Sequence, residues 1–248
     1  MAETIKDGLD AQNEEIYSFL MIGQLNMAGR GEISDVPPIK NEKCFMLRMG
    51  RWQKMSEPIN PDRPIFEGRF RPGVGLAASF ADSLAIATGK KTGLIPCADG
   101  GTKIAQWQPG EVLFDHAVMM TKLATRSSRF SGILWHQGES DCSNDENVAL
   151  YKERLIRMIN GIRGELGAQD LPFIMGELSA HFGEKWAMGE RHLRVNEILH
   201  EVEKELPHIA VVSSAGLSMK PDGLHFDAAS CRVMGKRYFE AYMRLSGK

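Results

Sequence analysis

The chain has 248 residues, enough for one large hydrophobic core and too few for two comfortable domains. Hydrophobic residues make up 43% of it and charged ones 25%, and the formal net charge is −2, so composition gives no reason to expect nucleic acid or an acidic membrane surface as a partner. No apolar run approaches a membrane span, and residues 1–15 are acidic and polar, without the basic-then-apolar order of a secretory leader. The expectation is a single soluble domain over 1–248 with a polar extension at 1–15, cytoplasmic as written, or secreted if a leader has been removed. Cys44, Cys97, Cys142 and Cys231 form no C-x-x-C pair, so free thiols are expected and neither a zinc site nor any other metal or cofactor.

The first element is an apolar run from Ile16 to Ile22, suited to a strand buried on both faces, and Gly23 permits a tight departure into Gln24-Leu25-Asn26-Met27-Ala28-Gly29. Residues 31–60 read as a long loop holding a small strand or hairpin near Cys44 to Met49 and Trp52, followed by a stretch at 61–75 rich in Pro, Gly and Arg. A helix is predicted from Val74 to Thr88, stopped by Gly89. A strand from Thr92 to Ala98 then runs into Asp99-Gly100-Gly101-Thr102. A helix over about 111–126 precedes a buried strand from Phe130 to Trp135, which empties into His136-Gln137-Gly138-Glu139-Ser140-Asp141.

Val148, Tyr151, Leu155, Met158, Ile159 and Ile162 recur at helical spacing, with Asn144 or Asp145 available as a cap. A strand at 171–177, a helix through Val195 to Leu206 ended by Pro207, and a short strand at 209–213 follow. After Asp222-Gly223-Leu224-His225 a last helix begins near Asp227. Strands alternating with helices imply a parallel sheet covered on both faces, that is, a three-layer α/β/α domain. In such sheets the loops after the strands share one rim, so residues far apart in sequence converge there.

A histidine three residues after an aspartate suits proton transfer, because the carboxylate fixes the tautomer of the imidazole and stabilises its charged form. Taken alone the pattern is weak, since a histidine ahead of a helix can simply cap it. In context it resembles the last block of the SGNH hydrolases. Gly23-Gln24-Leu25-Asn26-Met27-Ala28-Gly29 resembles the first block of their sialate O-acetylesterase and acetylxylan esterase branch, for which carbohydrate esterase family 6 is the nearest named group. Gly100-Gly101-Thr102 resembles its second block and His136 to Asp141 its His-Gln-Gly-Glu-x-Asp block, so four blocks occur in order between Gly23 and His225.

The resemblance implies a flavodoxin-like strand order and a serine esterase that deacetylates sugars or xylan without a cofactor. His225 would be the base and Asp222 its acid partner. Glu139 is the competing acid, favoured here as a second-layer or substrate contact. Gly100 or Gly101, with Gly101 preferred, and Gln137 would donate to the oxyanion, and Gln24 and Asn26 would contact substrate. The departure is Leu25, which stands where the family has its nucleophilic serine. A leucine side chain has neither a lone pair nor an ionisable proton, so this chain is expected to be inactive or nearly so. The alternative is a carbohydrate-binding or regulatory protein without catalysis on the same fold. An acetylated carbohydrate or similar small ester is the expected partner, and oligomeric state is left open. Trp107, Trp135 and Trp186 are candidates for a sugar-stacking wall, with core packing the stronger reading for Trp135. Arg30, Arg69 and Arg71 read as solvated arginines within reach of a sugar or carboxylate. His116, His181, His192, His200 and His208 read as surface or helix-face residues.

Overall fold

Seven strands form one sheet in the order β3-β2-β4-β1-β5-β6-β7. They are β1 (Tyr17–Gly23), β2 (Cys44–Arg48), β3 (Arg51–Lys54), β4 (Thr92–Pro96), β5 (Arg129–His136), β6 (Phe173–Gly176) and β7 (Ile209–Val212). The computed structural model describes residues 15–60, 72–182, 185–186 and 188–247. The expected extension therefore lies outside the described residues but for Glu15, as do Arg69, Arg71 and most of the Pro-, Gly- and Arg-rich stretch. Every strand pairing is parallel except that of β3 with β2, which is antiparallel. Without this hairpin, the order β4-β1-β5-β6-β7 is the 2-1-3-4-5 arrangement of flavodoxin-like sheets. The chain leaves β1 toward β4 on one side and returns to β5 on the other. That reversal opens a crevice at the carboxyl end of β1, where this class of sheet binds ligands.

The alternation along β1 builds the two faces. Leu20 and Ile22 join Ile95, Ile133, Trp135 and Phe173 in a core against helices α3 (Val112–Ala124), α4 (Asp145–Leu166) and α5 (Arg191–Glu205). Phe19 and Met21 join Leu94, Leu134 and Ile174 in the opposite core, against α2 (Leu76–Thr88) and α6 (Ala228–Ser246). The three layers follow from strands that are apolar on both faces. Helix starts are local: the Asn144 side chain accepts the Asn147 N–H at 2.8 Å, and Asp227 accepts the Ser230 N–H at 2.7 Å. β4 ends two residues earlier than its apolar run. Cys97 and Ala98 continue in an irregular path in which the Ala98 N–H and C=O both bond the buried Asn60 amide, at 3.1 and 2.8 Å. No helix among the described residues is long and apolar enough to cross a membrane.

Candidate active site

Three strand ends are tied together at the rim. Gly23 has φ +127°, and a Cβ there would sit 2.1 Å from the His136 carbonyl oxygen, so only glycine lets β1 leave the sheet at this point. The Gln24 N–H then donates to His136 O, and the Asp99 N–H donates to Gly23 O, each at 2.9 Å. A single helical turn, α1 (Leu25–Ala28), follows, with Asn26, Met27 and Ala28 buried.

The loop at 136–141 braces this arrangement from below. Glu139 is 3% exposed, and its two oxygens accept from Gln24 Nε2 at 2.6 Å and Asn26 Nδ2 at 2.8 Å. Ser140 Oγ donates to Gln24 Oε1, and Asn26 Oδ1 accepts the Phe226 N–H. Gln24 and Asn26, expected from the sequence as substrate contacts, both make hydrogen bonds inside the protein that brace the first loop. Glu139 likewise faces the first loop and makes no hydrogen bond to His225.

Gln137 needs the same correction. Both hydrogens of its buried amide are used, one on Thr102 O at 2.8 Å and one on Asp141 Oδ2 at 2.6 Å, while Tyr151 OH donates to its Oε1. A donor with no hydrogen to spare cannot hold an oxyanion, so Gln137 anchors the Gly100-Gly101-Thr102 turn instead. Asp141 Oδ2 also accepts the Ile104 N–H, and Thr102 Oγ1 donates to Asp99 O, which completes the underside of that turn. Burial raises the pKa of Asp141, against hydrogen bonds from Gln137 and Ile104 that pull it down.

The carboxy-terminal loop is built differently. His225 Nδ1 lies 2.8 Å from Asp222 Oδ2, and the other oxygen of Asp222 accepts the N–H groups of Leu224 and His225 at 2.9 and 3.0 Å. Burial alone would raise the Asp222 pKa, but these hydrogen bonds and the imidazole outweigh it and hold the group below the usual carboxylate range. An ionised Asp222 makes Nδ1 the donor, which leaves the lone pair of neutral His225 on Nε2. That nitrogen is buried and makes no hydrogen bond with the protein. Burial keeps the His225 pKa below that of a free imidazole, although Asp222 opposes it, so the ring is a base at neutral pH.

Asn26 brings residue 25 to this loop, since it bonds Phe226 N and approaches Leu224 O at 3.5 Å, on either side of His225. The half-buried Leu25 side chain reaches across to the glycine turn. A Cβ on Gly100 would sit 2.7 Å from Leu25 Cδ2, whereas one on Gly101 would meet nothing within 4 Å. The close approach belongs to Gly100, one residue before the glycine preferred from the sequence.

Other expected contacts fall elsewhere. Trp107 and Trp135 are fully buried and stack edge to face with ring centroids 5.5 Å apart, so they form core and no sugar wall. Trp186 is 50% exposed, and its indole N–H donates to Asp222 O at 3.0 Å. Arg30 is buried, not solvated, and donates to Gly29 O at 2.7 Å. His192 is buried as well, with Nε2 3.0 Å from Ala180 O. All four cysteines are buried free thiols. Among the described residues no group of histidine, cysteine and carboxylate side chains is arranged to hold a metal. A groove of about 530 Å³ between α4 and α5 contains no motif residue, and its basic side chains are held in ion pairs, Arg191 with Asp145 and Lys152 and Arg194 with Glu201. Asn60 was not singled out from the sequence, Thr102 entered only as part of the second block and Tyr151 only as an apolar helix position, and nothing in their local patterns marks them as braces.

A base held on a carboxylate, a glycine turn and a braced first loop on one rim of a parallel sheet define an ester-hydrolase type of site. The family model for carbohydrate esterase, sialic acid-specific acetylesterase, matches residues 15–244, and the chain belongs to that family. The probable carbohydrate esterase At4g34215 of Arabidopsis thaliana is 28% identical over 244 residues, spanning 91% of this chain and 89% of that protein. Its X-ray structure aligns with a TM-score of 0.80 at 27% identity, over 93% of this chain and 98% of that one. The fold is shared with NanS, at 17% identity and TM-score 0.74 over 94% and 98% of the two chains. It is shared also with a carbohydrate acetylesterase of Xanthomonas citri, at 20% identity and TM-score 0.70 over 94% and 57%.

Proposed function

We propose that this chain carries the proton-handling and carbonyl-binding parts of a carbohydrate O-acetylesterase and lacks its nucleophile, because Leu25 occupies the position where a serine would attack. The observation that carries this reading is His225: anchored through Nδ1 on Asp222, it offers a buried Nε2 with no partner among the described residues, on a loop that Asn26, the neighbour of Leu25, bonds directly. With serine at position 25, Nε2 would take the hydroxyl proton as the oxygen attacks the acetyl carbonyl of an acetylated sugar or xylan. The N–H of residue 25 and the Gly100-Gly101 turn would receive the oxyanion, and His225 would return its proton to the leaving sugar oxygen. Water activated by the same nitrogen would then release acetate. The leucine isobutyl group lies against Gly100, so the substitution both removes the nucleophile and fills space at the turn.

The test is Leu25→Ser, assayed on 4-nitrophenyl acetate and acetylated xylan beside the chain as it stands. The expected result is near-background hydrolysis by the Leu25 chain and turnover by the variant. A Leu25 chain that turns over rapidly and is stopped by a serine-directed inhibitor would overturn the reading. Binding of acetylated sugars by a well-folded Leu25→Ser variant that hydrolyses none of them favours the second reading, a carbohydrate-binding protein without catalysis, for which Leu25 itself speaks.

A further inference from the structure

Of the four tryptophans, Trp52, Trp107 and Trp135 are 3% exposed or less, and Trp186 alone is half exposed. Its position is held by polar bonds. The indole N–H donates to the carbonyl of Asp222, the residue whose carboxylate orients His225, and the neighbouring Lys185 Nζ donates to the carbonyl of Pro221. The Lys185 stem also covers Gly223, where a Cβ would come within 3.0 Å of Lys185 Cβ. Two consecutive residues of the segment between β6 and α5 are thus fastened to two consecutive carbonyls of the loop that carries the base. The one polar atom of the indole is satisfied by this bond, so what the half-exposed side chain offers outward is aromatic carbon. Exposed aromatic carbon, fixed to the loop that carries His225, matches the C–H face of a sugar ring better than it matches an acyl chain, which needs an enclosed pocket.

We propose that Trp186 is a stacking platform for a pyranose ring adjoining the His225 loop, so that this site takes an acetyl group borne on an oligosaccharide rather than a free short ester. The proposal rests on the carbohydrate-ester reading of the site but not on any turnover by this chain. A ring stacked on the indole is held by contact with the face, while the bond to Asp222 keeps the platform in register with the base.

The test uses the intact chain, with partially acetylated xylotetraose and its deacetylated counterpart as probes. Acrylamide quenching of tryptophan emission reports on Trp186, since the other three indoles are buried, and calorimetry gives affinity independently. Saturation with the acetylated probe is expected to protect the emission from quenching. Trp186→Ala is expected to weaken binding about tenfold, and Trp186→Phe, which keeps a face and loses the N–H, only about twofold. Equal losses in the two variants would overturn the proposal, because they would trace the effect to the bond with Asp222. Binding without protection, or no binding of either sugar, would overturn it too. If Leu25→Ser hydrolyses aryl acetate but no sugar binds, the platform fails and the esterase reading stands. If sugar binds with protection and Leu25→Ser hydrolyses nothing, the platform stands and the esterase reading fails.

Discussion

His136 with Glu139 and His225 with Asp222 are both histidine–carboxylate pairs three residues apart, on loops of the same rim. In the first, both side chains are buried, and Glu139 is held by two side-chain amides. His136 hands its Nδ1–H to Tyr238 OH, which itself donates to Trp135 O. Burial lowers the His136 pKa to about 4 and raises that of Glu139 to about 7, so their 3.9 Å contact is no ion pair at neutral pH. In the second, Asp222 is 36% exposed, stays ionised, and lies 2.8 Å from a ring whose other nitrogen makes no bond. In both pairs Nε2 of the ring has no hydrogen-bond partner among the described residues, so the difference lies in the carboxylate: Glu139 is spent on holding two loops together, whereas Asp222 stays ionised and orients the ring. Residue type and spacing are nearly the same, so solvent access and competing partners decide the role.

The comparison is broken most sharply by restoring the nucleophile. Leu25→Ser is expected to raise kcat on acetyl esters by several orders of magnitude, toward the roughly 10⁶-fold that separates a serine hydrolase from its serine-less form. In that background His225→Ala should remove nearly all the gain, and Asp222→Asn on the order of 10⁴-fold through the wrong tautomer, with folding unchanged by circular dichroism. The pH profile of kcat/KM for Leu25→Ser should reach its plateau below the pH at which a free imidazole loses its proton, because burial lowers the His225 pKa.

The first pair should answer in stability instead. Glu139→Ala leaves two buried amides without an acceptor and is expected to cost about 3 kcal/mol in urea unfolding. The smallest effect is one of pH. Glu139 has a folded pKa of about 7 against an ordinary value of 4.5, so the native state binds the extra proton, and the stability this confers is lost as pH rises from 4.5 through 7. His136 works in the other direction, with stability present above 6.5 and lost as pH falls toward 4. Glu139→Gln removes only the first dependence. Its stability relative to the parent chain should therefore improve as pH rises from about 5 to about 8, by an amount on the order of 3 kcal/mol. A difference independent of pH would show Glu139 to be ionised throughout and would erase the contrast between the pairs.

Much of the frame was legible in the residue order. The apolar runs at β1, β4 and β5 each end at a polar loop rich in glycine, and the helical spacing of Val148 to Ile162 with an Asn144 cap is local chemistry that needs no distant partner. Asp222 and His225 were legible for the same reason, since three residues of one loop suffice to bring carboxylate and imidazole together. Gln137, Gln24 and Asn26 were read as active-site donors because their amides sit in loops at strand ends. The structure turns all three into braces. Apart from Asp141, four residues from Gln137, their acceptors, Thr102, Glu139 and the loop after Asp222, lie between 35 and about 200 residues away in sequence.

What the sequence determined by itself is whatever depends on neighbours along the chain: strand and helix positions, caps, the turn at Gly23, the carboxylate–imidazole pair, and the missing hydroxyl at Leu25. Only the tertiary structure decided which glycine of the second turn meets residue 25, which histidine is oriented by an ionised carboxylate, and which tryptophan stays exposed. Those outcomes are fixed by burial and by competition for a limited set of hydrogen-bond partners. Both are properties of the packed rim, where a buried donor such as Gln137 or Asn26 bonds whichever acceptor packing brings near, regardless of how far along the chain it lies.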